Sequence, residues 1–180
     1  MTQQLPGVLL NSLYAMLKNG APALDITKMV HDLADATIDQ TLHAYAPREH
    51  AQITCKKSCS HCCKQSTILI EEADALYLQE KTGKVVQYEA NGPTNKQGVA
   101  CSFLDAQGNC SVYEWRPITC RVSLSVDNPQ LCATEEERKM VQAPILYKLM
   151  FLGLDGHPEI KEKYIASRGV EADIRDFFPK

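Results

Sequence analysis

The stretch Cys55-Lys-Lys-Ser-Cys-Ser-His-Cys-Cys63 places four thiols within nine residues. Free cysteines in ordinary cores usually occur singly and are unreactive, so this spacing indicates metal binding. In a straight helix the four side chains would share one face, with Cys55 and Cys63 about 12 Å apart along it. A single zinc ion, with Zn–S bonds of about 2.3 Å, could not bind both. We therefore expect a loop folded around a metal centre, or a stretch that supplies two separate sites.

The composition sets limits on the class of protein. With 180 residues, 44% of them hydrophobic, the chain is long enough for one domain with its own core, so metal is not needed merely to replace one. The net charge of -3, from 19 basic and 22 acidic residues, provides no strongly basic surface. No stretch approaches the roughly 20 apolar residues of a membrane span. We predict neither nucleic acid nor a membrane as a partner.

The eight cysteines would suggest disulfides in a secreted chain. The apolar opening segment, residues 5–17, has no basic residue before it, and Asn11 and Ser12 interrupt it, which is not typical of a signal peptide. We therefore predict a cytoplasmic protein. In a reducing compartment clustered thiols act as metal ligands or redox groups rather than as disulfides.

The apolar periodicity predicts a single compact metal-binding domain over residues 1–180, mainly α with a small β-hairpin, with the cysteine loops between helices. Residues 1–50 are expected to form a helical support, residues 55–132 the cysteine-cluster module and residues 134–180 C-terminal helices. The predicted helices cover 8–19, 27–46 with Asp25 or Thr27 as cap and Pro47 after it, 71–81, 134–149 with a kink at Pro144, and 158–168. Residues 66–70 are expected to be extended, and the aromatic tail at 173–178 to dock on the core.

Two further local patterns bear on the site. The turn residues at 106–109 predict a hairpin that brings Cys101 and Cys110 together. His31 and His43 each have an aspartate one turn away, Asp35 and Asp39, and such pairs are typical of solvated surfaces. We therefore do not include either histidine among the metal ligands.

The cysteine pattern resembles the YkgJ-like cysteine-cluster family, which is described as zinc- or iron-chelating. The resemblance rests on C-x3-C-x2-C-C at residues 55–63, Cys101-x-Phe-Leu, and Cys110-x-Val-Tyr-x-x-Arg-Pro-x-x-Cys-Arg at residues 110–121. It implies metal ligation by the cysteines of residues 55–132, with Cys132 as the eighth candidate: Cys55, Cys59, Cys62, Cys63, Cys101, Cys110, Cys120 and Cys132. One relative, flagellin lysine N-methylase, joins a similar module to methyl transfer linked to an iron-sulfur cluster. The glycine-rich nucleotide loop that would extend methyl transfer to this chain is absent.

Thiolate ligands suit both zinc and iron-sulfur clusters. Zinc ribbons favour two C-x2-C knuckles, whereas this chain has one, at residues 59–62. Several cysteines in one loop with others far along the chain are closer to iron-sulfur ligation, although the ferredoxin motif is absent. We prefer an iron-sulfur cluster with an electron-transfer or accessory redox role. A structural zinc module for protein interaction and a cluster-dependent enzyme are the alternatives.

Charged neighbours matter because a thiolate-bound centre is anionic. Arg116 and Arg121 match the Arg-Pro and Cys-Arg positions of the family and are predicted to donate to sulfur or carbonyl groups around the centre. Lys56 and Lys57 are expected to be solvated, and His61 is an alternative ligand. The pattern leaves open which thiols share a centre, whether there are one or two, and which protein or redox partner is involved.

Overall fold

Short helices joined by loops make up most of the fold in a computed structural model, which describes residues 6–55, 58–88, 94–126, 128–133, 148, 151 and 153–180. The helices with described bounds are α1 (Pro6–Lys18), α2 (Ala23–Ala36), α3 (Leu42–Tyr45), α4 (Pro47–Gln52), α5 (His61–Gln65), α6 (Glu72–Thr82), α7 (Ile118–Val122), α8 (Pro158–Arg168) and α9 (Ile174–Phe177). A π-helical segment, Thr37–Thr41, joins α2 to α3, and 3₁₀ segments occupy Tyr113–Trp115 and Pro129–Ala133. The mainly α prediction is confirmed.

The first apolar core lies between α1, α2, α7 and α8. Leu9, Leu13 and Leu17 repeat at helical spacing along α1 and are buried against α2. Gly20 follows with a φ of 69°, a left-handed conformation that favours glycine, and it ends the helix. The predicted helix over residues 8–19 is therefore confirmed.

The predicted start of the second helix is wrong. α2 begins at Ala23, and Pro22 occupies the position before it with no side-chain cap. Thr27 lies inside the helix, where its hydroxyl donates to the Ala23 carbonyl, so it cannot cap the start. The helical segment ends at Tyr45 as expected, but Pro47 opens α4 because proline suits the first position of a helix.

The second apolar core lies beside a two-stranded antiparallel sheet of β1 (Leu69–Glu71) and β2 (Glu171–Asp173), in which Ile70 pairs with Ala172. Phe177 and Phe178 are buried in this core, as predicted for the aromatic tail. Phe103 contacts the Phe178 ring edge-on, with the ring centroids 4.9 Å apart. This core therefore joins the tail to the segment that carries Cys101.

A buried network of charged groups fastens α8 to α2, β1 and α6. The Arg168 guanidinium contacts Glu71 at 2.5 Å, Asp74 at 3.2 Å and the Thr27 hydroxyl at 2.8 Å. Burial opposes the charge, but Asp74, Tyr164 and Glu71 outweigh it and raise the pKa of Arg168. The predicted helix over residues 158–168 is confirmed, and its last residue is the centre of this network.

The histidine prediction is wrong for His31. This ring is 3% exposed, and its Nε2 lies 2.6 Å from Asp74 Oδ1 rather than pairing with Asp35 on the surface. α2 packs on α6, which covers this face of the helix. His43 is exposed as expected, and its ring centroid lies 3.5 Å from that of His50.

Two expectations concern the remaining parts of the chain. The predicted helix over residues 134–149, with its kink at Pro144, falls outside the described residues apart from position 148, which is helical. In the portion of the chain whose structure is described, the helices are too short or too polar to cross a membrane.

Candidate metal centre

Cys55 and residues 58–60 lie outside helices, and the short helix α5 begins at His61, so the first cysteine stretch is not one continuous helix. Ser58 has a φ of 80°, which is uncommon for a residue other than glycine and marks a turn directly before Cys59. The loop is held at its start because the Thr54 N–H donates to the Ser125 carbonyl. In return the Ser125 N–H donates to Cys55 Sγ at 3.1 Å. Residues near 125 therefore position the first thiol.

The adjacent Cys62 and Cys63 lie on α5. Cys62 is exposed, whereas Cys63 is partly buried and packs against the second core. The two thiols share a hydrogen bond. The Cys101 N–H donates to the Cys63 carbonyl at 2.7 Å, which places the second cysteine group directly against α5.

The predicted turn between Cys101 and Cys110 is confirmed. Leu104 and Cys110 form an antiparallel bridge, and the Ser111 N–H donates to the Phe103 carbonyl. The Asp105 carboxylate accepts from the backbone N–H groups of residues 107 and 109, and Gly108 takes a φ of 79°. The turn brings Cys110 near Cys101, whose pKa it helps to raise.

The two predicted arginines shape the loop that carries Cys120. Arg116 donates to the Tyr113 carbonyl and lies over the Tyr113 ring, 4.1 Å from its centroid. Arg121, 4% exposed, donates to the Arg116 and Glu114 carbonyls and pairs with Asp35 at 2.5 Å. Their effect on a bound metal stays a prediction, but both side chains hold the backbone next to a candidate ligand.

Neighbouring thiols raise one another's pKa values, both within the first cysteine stretch and between it and the later cysteines. Burial raises the pKa of Cys55, and the neighbouring Cys59, Cys62 and Cys132 thiols raise it further against the opposing Ser125 hydrogen bond. For Cys63 the hydrogen bond with Cys62 is the largest cause of a strongly raised pKa, followed by burial and the Cys62, Cys101 and Cys120 thiols. The thiols of the first stretch therefore lie close enough to Cys101, Cys120 and Cys132 to affect one another's ionisation.

The protein environment favours protonated thiols in the absence of metal. Burial raises the pKa values of Cys101, Cys110 and Cys120. Cys120 keeps some exposed surface, yet the protein packed around it raises its pKa well above the ordinary value. Metal binding at these thiols must therefore displace protons.

Two guanidinium groups oppose this trend, and sequence reasoning identified only one of them. Arg116 acts to lower the pKa of Cys110, and Arg175 acts to lower that of Cys101. Arg175 is buried between Asp173 and the carbonyls of Ser66 and Val99. It follows Cys101 by more than seventy residues, so no local motif links the two.

Three further residues lie within a few positions of a cysteine along the chain. His61 begins α5 and is partly exposed, and Trp115 is partly buried against the second core. Lys64 is exposed, with its amine near the turn at Gly108. Lys56 and Lys57 fall outside the described residues.

The donor set fits a metal by its chemistry. All eight cysteines are free thiols, and thiolates are suitable ligands for both zinc and iron-sulfur clusters. Within the described ranges, no three His, Cys, Asp or Glu side chains are already arranged to hold one metal ion. The thiols are thus neighbours rather than a formed coordination sphere.

These features define a metal-binding cysteine-cluster protein. The family model CxxCxxCC, "Putative zinc- or iron-chelating domain", matches residues 54–143, which is half of the chain. The chain belongs to this family, as the resemblance of its cysteine pattern implied. Comparison with curated proteins gives no match, and comparison with solved structures gives none either.

Proposed function

We propose that the chain holds an iron-sulfur cluster through its cysteine thiolates and has an electron-transfer or accessory redox role in the cytoplasm. The observation that carries the proposal is the gathering of thiols from distant segments around the Cys62–Cys63 pair on α5. An iron-sulfur core is larger than a single ion, so it accommodates ligands that approach from separate loops.

The surroundings suit a redox centre. A thiolate-bound cluster is anionic, and Arg116 and Arg175 place positive charge beside Cys110 and Cys101. Cys101 is buried in apolar packing, whereas Cys62 is exposed. The thiol region is therefore shielded on its Cys101 side and accessible to a protein redox partner on its Cys62 side. Burial, charge and hydrogen bonds at the sulfurs are the features that set a cluster's potential.

The test is the content of iron, zinc and acid-labile sulfide per chain. The protein is purified without oxygen, without reconstitution and without a metal-binding tag. We expect iron and sulfide together, near a fixed ratio to protein, with the broad visible absorption of a cluster. Zinc at a fixed ratio without sulfide would contradict the proposal.

Structural zinc is the second candidate because eight thiols provide two complete sets of four, the number that a closed tetrahedral zinc site requires. In that case the chain has a protein-interaction role, and binding experiments replace redox measurements. The same metal analysis separates the two functions.

A further inference from the structure

We propose that the eight thiols form two metal centres, divided between the adjacent residues Cys62 and Cys63. The outer centre consists of Cys55, Cys59, Cys62 and Cys132, and the inner centre of Cys63, Cys101, Cys110 and Cys120. The inference rests on the proposed metal binding and deepens it, because it states which thiols act together.

The first argument is that the thiols pack against different cores. Cys101 is buried in the second core, and the other three inner thiols, Cys63, Cys110 and Cys120, pack against that core. Cys55 instead packs against the first core. The boundary between the two cores therefore passes between Cys55 and Cys63.

The second argument concerns the outer centre. α5 packs against the 3₁₀ segment Pro129–Ala133, which carries the buried Cys132. Cys55 is held near this side of the site by the Ser125 N–H. Cys59 lies in the same loop, between Cys55 and Cys62 along the chain.

The third argument is the geometry of neighbouring residues on a helix. Successive Cα–Cβ bonds on a helix project about 100° apart, so the side chains of Cys62 and Cys63 leave α5 in different directions, although their sulfurs meet in a hydrogen bond. Their exposures agree, since Cys62 is exposed and Cys63 is partly buried. The contact between the two thiols places the two centres side by side.

The division gives the centres different charge environments. The positive charges of Arg116 and Arg175 favour the thiolate forms of the inner residues Cys110 and Cys101, respectively. The outer centre includes the exposed Cys62 and the partly exposed Cys59. Four thiolates each match the ligand number of a closed zinc site or a cubane cluster. We expect the outer centre to lose metal first when a chelator is added.

The test uses the full chain and the matched variants Cys62→Ser and Cys63→Ser, with Ser60→Ala as control. Native mass spectrometry and metal analysis should find about half of the wild-type metal in each cysteine variant and all of it in the control. Thiol alkylation of the folded protein should then label Cys55, Cys59 and Cys132 in Cys62→Ser, because these thiols no longer hold metal. In Cys63→Ser it should label Cys101, Cys110 and Cys120.

Loss of all metal from both variants, with every remaining thiol alkylated and the helical circular dichroism retained, would overturn the division. If a variant does not fold, stepwise chelation of the wild type decides instead. Two successive losses, with the outer thiols alkylated first, support two centres, and one concerted loss contradicts them. The metal's identity tests the proposed function separately, since two zinc centres would refute the iron-sulfur cluster and leave the division intact.

Discussion

Arg121 is the side chain that joins the Cys120 loop to the N-terminal helices. It donates to the Glu114 and Arg116 carbonyls and reaches Asp35 on α2. Because the guanidinium is buried, truncation leaves two carbonyls and a carboxylate without their donor. The loop that presents Cys120 would then lose its attachment.

Arg121→Ala is expected to weaken metal binding by roughly 10- to 100-fold, the range for groups that orient ligands. It should also lower the free energy of unfolding by about 1–3 kcal/mol, because the hydrogen bonds of a charged, buried guanidinium are lost. Chelator competition and urea denaturation measure the two effects. Arg48→Ala, an exposed arginine on α4, is the matched control. An unchanged affinity in Arg121→Ala would limit this residue to a structural role.

Cys59→Ser is expected to release metal and to lower the melting temperature, because bound metal contributes folding free energy. Metal analysis and thermal denaturation of the anaerobically purified variant measure these effects. His43→Ala should leave metal content unchanged, since its exposed ring stacks on His50. Full metal content and an unaltered melting temperature in Cys59→Ser would remove this residue from the ligands.

Sequence reasoning at the scale of single residues succeeded where the signal was local. The cysteine spacing and the Arg116 and Arg121 positions could be read directly from the chain. The roles of Arg175 and Asp35 could not be predicted from the sequence. Each residue contacts or affects a partner far along the chain, and only the folded structure brings the two together. His31 was misjudged for the same reason, since its partner Asp74 lies 43 residues away.

A buried network of charged side chains joins the helices α2, α6 and α8. Asp74 is fully buried and contacts both His31 and Arg168. Asp74→Ala leaves the Arg168 charge with one fewer partner, and such losses cost about 3–5 kcal/mol. Urea denaturation should show this, while Asp32→Ala in an exposed ion pair should change little. A loss below about 1 kcal/mol would mean that water replaces the carboxylate.

The tail helix α9 holds the loop that precedes Cys101. Burial opposes ionisation of Asp176, but the Thr94 hydroxyl and N–H and Lys96 outweigh it and hold the pKa below its ordinary value of 3.8. The ionised form therefore contributes stability that is present above about pH 4 and is lost as the pH falls through the lowered pKa.

Asp176→Asn should consequently be less stable than wild type at pH 7, by up to about 1 kcal/mol, because its ion-pair partner Lys96 is partly exposed to solvent. The difference should shrink as the pH falls below 4. Urea denaturation at several pH values measures it, with the exposed Asp155→Asn as control. A difference that is independent of pH would assign the effect to packing instead of charge.

Helices and strands could be predicted from the sequence where their own residues carried a clear pattern. α1, α6 and α8 have clear boundaries marked by Gly20, Gly83 and Pro158, and their bounds were close to those expected. β2 has only three residues, Glu171–Asp173, with no alternating apolar pattern. It is a strand because β1 and the second core lie beside it, which is information that its own residues do not contain.

The whole molecule places the cysteines at the junction of two apolar cores. Each core has buried leucine, isoleucine or phenylalanine side chains that do not depend on metal ligation. Chelation should therefore lower the melting temperature but leave most of the far-UV helical signal. Circular dichroism before and after chelation measures both quantities. Complete loss of helix on chelation, as in a classical zinc finger, would contradict two self-sufficient cores.

The pairing of β1 with β2 has a consequence for biosynthesis. Glu171 follows Cys63 by 108 residues, so at typical translation speeds about 5–20 s pass before the ribosome supplies the partner strand. Arg175, Phe177 and Phe178, which complete the packing beside Cys101, emerge still later. During that interval the nascent thiols have no finished pocket around them. We expect the nascent thiols to be more accessible to oxidants in that interval than in the finished fold.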